Sequence, residues 1–152
     1  MARQVIVTVG NSMMGDDAAG PHLAKMLKDN PVTGWCLIEG GTMPEDTLHQ
    51  IRKLQPQRVL VVDAADFGES AGQVRIIDPD TIADMFMVST HALPLNFFIE
   101  ELETFVPEVT FVGIQPAVVA FGFPLTEMVA QGVETLYRRL PGWSGETEFE
   151  HC

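Results

Sequence analysis

Apolar residues recur along the chain at two spacings, and the alternation between them lays out the elements. The run from Gln4 to Val9, apolar from Val5 on but for Thr8, reads as a first strand. Leu23, Met26 and Leu27 then fall on one helical face, with Lys25 and Lys28 on the other. This predicts a helix from about Gly20 to Lys28, stopped by Asn30-Pro31. Pro21 fits only its first turn, since deeper it would delete a backbone bond. A second strand, Trp35 to Ile38, leads into Glu39-Gly40-Gly41-Thr42. Thr42 with Glu45 three residues on has the form of a capping box. Leu48, Ile51 and Leu54 make the buried stripe of the second helix, which Pro56 ends.

Arg58 to Val62 reads as a central strand and runs into Asp63-Ala64-Ala65-Asp66. Gly68 to Gly72 is a turn, and Val74 to Ile77 a short strand, an antiparallel edge after so tight a connection. Asp78-Pro79-Asp80 turns into a brief helix around Thr81 to Phe86. Ser89-Thr90-His91 precedes a helix from about Leu95 to Glu103. The last strand is Val109 to Ile114, ending at Gln115-Pro116. An apolar loop, Ala117 to Pro124, precedes a final helix from Glu127 to Leu140 with the stripe Val129, Val133, Leu136 and Leu140.

Strands alternating with helices of this length predict an α/β fold: a three-layer α/β/α sandwich around a mostly parallel, mixed sheet of about five strands. One domain, residues 1–143, accounts for the pattern, and 144–152 is expected to be an acidic, disordered tail. Right-handed crossovers bring the carboxyl ends of the parallel strands to one edge, where such sheets bind ligands.

Charge narrows the partners. Nine Lys and Arg against 21 Asp and Glu give a net charge of −12, which argues against nucleic acid and is compatible with a metal cation or a basic protein partner. No apolar run reaches membrane-spanning length, and no basic region precedes a long apolar stretch at the start. Two cysteines, Cys36 and Cys152, make neither a disulfide framework nor a metal motif, so a reducing cytoplasm is expected.

The candidate chemistry centres on the loop Gly10-Asn11-Ser12-Met13-Met14-Gly15-Asp16-Asp17. A glycine loop between a strand and a helix usually offers bare N–H groups to a phosphate. Here Asp16 and Asp17 stand in that place, and their charge would repel one. One carboxylate can cap the helix, which leaves the other without a capping role. Asp16 or Asp17, Asp63 at the end of the third strand, and His91 all reach the carboxyl edge. Two carboxylates and an imidazole suit Zn, Ni or Fe, leave positions open for water or substrate, and hold free metal only loosely without thiolates. His22 and His49 lie on helices and His151 in the tail, as ordinary surface or packing histidines. Met85, Phe86 and Met87 read as core filler.

Gly10 to Asp17, Gly40-Gly41-Thr42, Val62-Asp63-Ala64, Ser89-Thr90-His91 and Gly113-Ile114-Gln115-Pro116 together resemble the hydrogenase maturation endopeptidases. Arg75 to Asp80, Met85-Phe86-Met87 and Pro94-Leu95-Asn96 are similar to the hydrogenase 3 (formate hydrogenlyase) branch. Many members carry Gly after the acidic pair, where this chain has Ala18. The resemblance implies a cytoplasmic protease that removes the C-terminal extension of a [NiFe]-hydrogenase large-subunit precursor once nickel has been inserted. It places metal contact and catalysis on Asp17, Asp63 and His91, with Asp16, Gly40, Gly41 and Thr42 as further candidates. Nickel would arrive with the precursor, and no tightly held cofactor is expected. An open nitrogen–oxygen site cannot take nickel from thiolates, but it can complete the coordination of nickel that precursor cysteines already hold. Water, activated by a carboxylate or by the metal, would then attack the scissile bond. The apolar loop Ala117 to Pro124 is expected either to dock the precursor or to tuck against the final helix.

Two other classes share part of this pattern. A receiver-like phosphoacceptor domain also has an acidic pair after its first strand and an Asp ending its third, but needs a Lys where Gln115-Pro116 stands. A non-catalytic nickel carrier would be expected to show His or Cys clusters, which the sequence lacks.

Overall fold

The computed structural model describes residues 3–81, 92–143 and 149. Five strands, β1 (Gln4–Val9), β2 (Trp35–Gly41), β3 (Arg58–Ala64), β4 (Val74–Ile77) and β5 (Glu108–Ile114), form one sheet in the order β2-β1-β3-β5-β4. All neighbours are parallel except β4, which pairs antiparallel with β5 at the edge. Among the described residues four helices, α1 (Ala19–Asp29), α2 (Leu48–Leu54), α3 (Ala92–Glu103) and α4 (Glu127–Arg139), cover the sheet.

The period-two alternation of the strands feeds two cores. Val5, Val7 and Val9 of β1, Val59 and Val61 of β3 and Phe111 of β5 pack with Ile51 of α2 and with Leu95, Phe98, Ile99 and Leu102 of α3. Ile6, Leu60, Val62, Val112 and Ile114 face the other way, onto Leu23 and Leu27 of α1 and Val129, Val133 and Leu136 of α4. Each large side chain buried in this way contributes roughly 1.5–3 kcal/mol. The three-layer α/β/α sandwich expected from the sequence is the observed fold.

Several boundaries differ from expectation, each for a local reason. β2 continues through Gly40 to Gly41, with a register shift against β1 between Thr8 and Val9. The expected capping box does not form. Thr42 is exposed, no side chain caps the turn, and the chain enters α2 through a 3-10 turn, Pro44–Thr47. Thr47 supplies the local bond instead, its Oγ1 donating to the Pro44 carbonyl at 2.6 Å. A second 3-10 turn, Gly15–Ala18, precedes α1. The brief helix expected around Thr81 to Phe86 begins as a 3-10 turn, Pro79–Thr81, and its remainder lies outside the described residues, as do Met85, Phe86 and Met87. Within the tail Phe149 alone is described; its ring lies 6.2 Å from that of Trp143. Among the described residues no helix is long and apolar enough to cross a membrane.

The order β2-β1-β3 means that the chain leaves β1 toward one side and returns to place β3 on the other. Such a reversal opens a crevice at the carboxyl ends of the two strands, the usual ligand site of an open α/β sheet. At the opposite edge Arg58 closes the sheet, donating to Gln4 Oε1 at 2.8 Å and to the Trp143 carbonyl at 3.2 Å while pairing with Glu108.

Candidate active site

One acidic residue stands at the carboxyl end of β3 and another in the turn that follows β1. Asp63 is the penultimate residue of β3 and is wholly buried. Asp17 lies in the 3-10 turn that follows β1 and is 7% exposed. β1 and β3 are hydrogen-bonded neighbours, so both acids belong to the same end of the same strand pair. Gly10 allows the turn to fold back: at φ +139° it carries no Cβ, and one placed there would stand 2.1 Å from the Asp17 carbonyl oxygen. Asp17 Oδ2 accepts the Asn11 N–H at 2.9 Å, which fixes its rotamer and uses one of several acceptor positions. Ala18, at φ −77°, sits in ordinary right-handed space, so alanine in place of glycine causes no strain there.

Asp63 shares its face of β3 with Val59 and Val61, the face on which α3 packs. α3 ends where the chain returns to the amino end of β5, and Phe105 just beyond it stacks beneath Arg52 of α2. α3 therefore descends from the carboxyl edge, in contact with the Pro44–Thr47 turn. His91 immediately precedes its first residue and lies outside the described residues. Two of the three proposed ligands are thus placed. Among the described residues no group of three His, Cys, Asp or Glu side chains forms a metal cluster.

Asp16 points elsewhere. Its Oδ2 accepts the N–H groups of Ala117 and Val118 at 2.8 and 2.9 Å, and its Oδ1 accepts the N–H and hydroxyl of Thr126 at 2.7 and 2.9 Å. Burial pushes its carboxyl up, but the N–H groups of Thr126, Val118 and Ala117 and the Thr126 hydroxyl outweigh that and hold it below the ordinary carboxylate value. The expectation that one of the pair caps the helix is not met, since neither turn nor helix has a side-chain cap. The turn's N–H groups are satisfied by backbone carbonyls instead, Gly15 by Phe123 at 3.1 Å and Asp16 by Val118 at 2.7 Å.

Gly40 and Gly41 support the crevice through the backbone. Gly40 is the extra residue of the β2 bulge, and the Gly41 carbonyl accepts the Gly10 N–H at 2.9 Å, anchoring the start of the Asp17 loop. Gln115 is a residue whose part the sequence did not disclose. Its Oε1 accepts the N–H groups of Phe67 and Glu69, and its Nε2 donates to Asp66 Oδ1, so it sets the loop leaving Asp63. The same residue stands where a receiver domain needs lysine, and the antiparallel β4 breaks the all-parallel order of that fold.

A doubly wound sheet with paired acids at its switch point defines a ligand-binding α/β protein. Comparison makes this specific. The family model of HycI, hydrogenase maturation protease, matches residues 21–142. The hydrogenase 3 maturation protease of Escherichia coli strain K12 is 50% identical over 145 residues, covering 95% of this chain and 93% of that one. The solution structure of the endopeptidase HycI from Escherichia coli aligns with a TM-score of 0.91 at 49% identity, covering 98% of this chain and 96% of that one. The [NiFe] hydrogenase maturation protease HycI from Thermococcus kodakarensis aligns at 0.78 and 30% identity, covering 93% and 91%. The chain belongs to the hydrogenase maturation protease family, enzymes that hydrolyse peptide bonds.

Proposed function

We propose that this chain is an endopeptidase that removes the C-terminal extension of a [NiFe]-hydrogenase large-subunit precursor after nickel insertion, in the cytoplasm. The observation that carries the reading is the pair of buried carboxylates, Asp17 and Asp63, at one end of two adjacent parallel strands. Buried acids are costly unless donors or a cation meet them, and at a ligand-binding edge a client's cation can do so. His91, ahead of α3, completes the set.

Carboxylate oxygens and one imidazole fit nickel as a cargo of the substrate rather than as a resident metal. The precursor's thiolates hold the ion, and Asp17, Asp63 and His91 fill its remaining positions, so that nickel identifies a finished precursor and locates the scissile bond. Water attacks the scissile carbonyl, its proton accepted by a carboxylate of the set or its acidity raised by the metal. The similarity to hydrogenase maturation proteases supports neither a receiver-like role nor a nickel carrier, and Gln115 follows β5 where a receiver needs lysine.

The test is mass spectrometry of a large-subunit precursor, nickel-loaded or nickel-free, after incubation with the protein. Trimming is expected of the loaded form only. Asp17→Asn, Asp63→Asn and His91→Ala should each slow it by about 10²-fold or more with circular dichroism unchanged. Equal cleavage of nickel-free precursor would remove the metal from recognition. Full activity in any one variant removes that residue from the site.

A further inference from the structure

The segment between β5 and α4 presents apolar side chains to solvent. Phe121 is 70% exposed, Phe123 56% and Val119 51%, and Met13 beside them is 58% exposed. From 117 to 125 there is no charged residue, in a chain of net charge −12. This exposure is built rather than left over. The segment bonds to the Asp17 loop through its backbone, with Gly122 N–H donating to the Met13 carbonyl at 2.9 Å and Gly15 N–H to Phe123. Gly15 makes the approach possible: at φ +59°, a Cβ there would lie 2.5 Å from the Val118 carbonyl oxygen.

Four donors on this segment converge on one side chain, the buried carboxylate of Asp16. Only a group with two acceptor oxygens satisfies them all. An amide would turn its own N–H₂ against either the Ala117 and Val118 pair or Thr126. We propose that Asp16 is a positioning residue that holds 117–126 as a rigid apolar lip beside Asp17, and that the lip docks the substrate polypeptide next to the scissile bond. This rests on the protease reading above. A protease needs a surface for its polypeptide outside the reacting atoms, and a lip hydrogen-bonded to the turn that carries Asp17 adjoins them. An uncharged rim also lets a protein approach a strongly acidic enzyme without facing like charge. Preorganisation by Asp16 reduces the ordering cost of docking.

The experiment measures KM and kcat on nickel-loaded precursor with the intact protein. Phe121→Ser, which alters an exposed side chain, should raise KM about tenfold or more with kcat within about threefold. Asp16→Asn should do the same, and the double variant should be little worse than the worse single one, because both act through the lip. Should Asp16→Asn fail to fold, Thr126→Val, which removes one donor at constant volume, takes its place. An unchanged KM in Phe121→Ser overturns the proposal, as does an Asp16→Asn variant that loses kcat alone, or effects that simply multiply. A wild-type dimer that Phe121→Ser dissociates gives the lip to a second copy and overturns it too. If wild type trims no precursor, the protease reading fails on its own. Equilibrium binding of the same precursor then decides the lip: weaker binding by Phe121→Ser supports docking, equal binding overturns it.

Discussion

Asp16 and Asp17 are neighbours with one functional group, and the fold sends them in opposite directions. Asp17 is turned back on Asn11 at the crevice, while Asp16 is spent on Ala117, Val118 and Thr126. The difference has a consequence in acid. The carboxyl of Asp16 is held below its ordinary value of 3.8, so its stabilisation is fully present above that value and lost as pH falls through the lower native one. Asp16→Asn in chelator-treated protein should cost about 1.5–3 kcal/mol at pH 6, read by urea unfolding, and the gap to wild type should close as pH falls through the lowered native value. A gap that does not change with pH removes the charge from the account. The sequence drew attention to the acidic pair and to Asp63, because a carboxylate in a glycine loop or at the end of an apolar strand is conspicuous by itself, while His91 lies outside the described residues. It could not separate Asp16 from Asp17, since the donors that do so lie 101 to 110 residues away. Gln115 was equally hidden: only the folded 66–69 loop gives its amide a task.

Elements were legible wherever one face decides the pattern. β1 begins and ends where its apolar run does, and α4 follows its stripe to within a residue. What failed was tight backbone geometry, the 3-10 turns ahead of α1 and α2 and the bulge that extends β2, because these answer to close packing rather than periodicity. That β4 pairs with β5 and not β3 was also beyond the sequence, since the tight turn between β3 and β4 does not state which strand β4 joins. α3 offers a sharp check on the packing. Phe97 is 51% exposed and Phe98 fully buried, on consecutive positions of one helix. Phe98→Ala should lower stability by about 3–5 kcal/mol, while Phe97→Ala should stay within about 0.5 kcal/mol. At this length each kcal/mol moves the melting temperature by about 2–4 °C, so differential scanning fluorimetry resolves the pair. Equal shifts would mean that α3 is rotated from the orientation described.

For the molecule as a whole, charge sets the terms on which it folds and meets a client. Ion pairs on the described surface such as Lys28–Glu39 and Arg138–Glu134 are exposed and worth at most about 1 kcal/mol each. Against them stands a net charge of −12, whose self-repulsion acts over the full surface at low ionic strength. Screening weakens both, but a few attractive contacts lose less than many repulsive ones gain. Raising sodium chloride from about 10 mM to about 1 M shortens the screening length from about 30 to about 3 Å. The metal-free protein should then melt about 2–4 °C higher, equivalent to about 1 kcal/mol. Chloride is the right anion, because sulfate would add a burial effect of its own. A melting temperature that falls with chloride would mean that attractive pairs outweigh the net field. The same screening should weaken the proposed hold of Asp17 and Asp63 on a free divalent cation while leaving client contact with the proposed uncharged 117–125 lip largely intact, so salt separates the two proposed ways of holding a client.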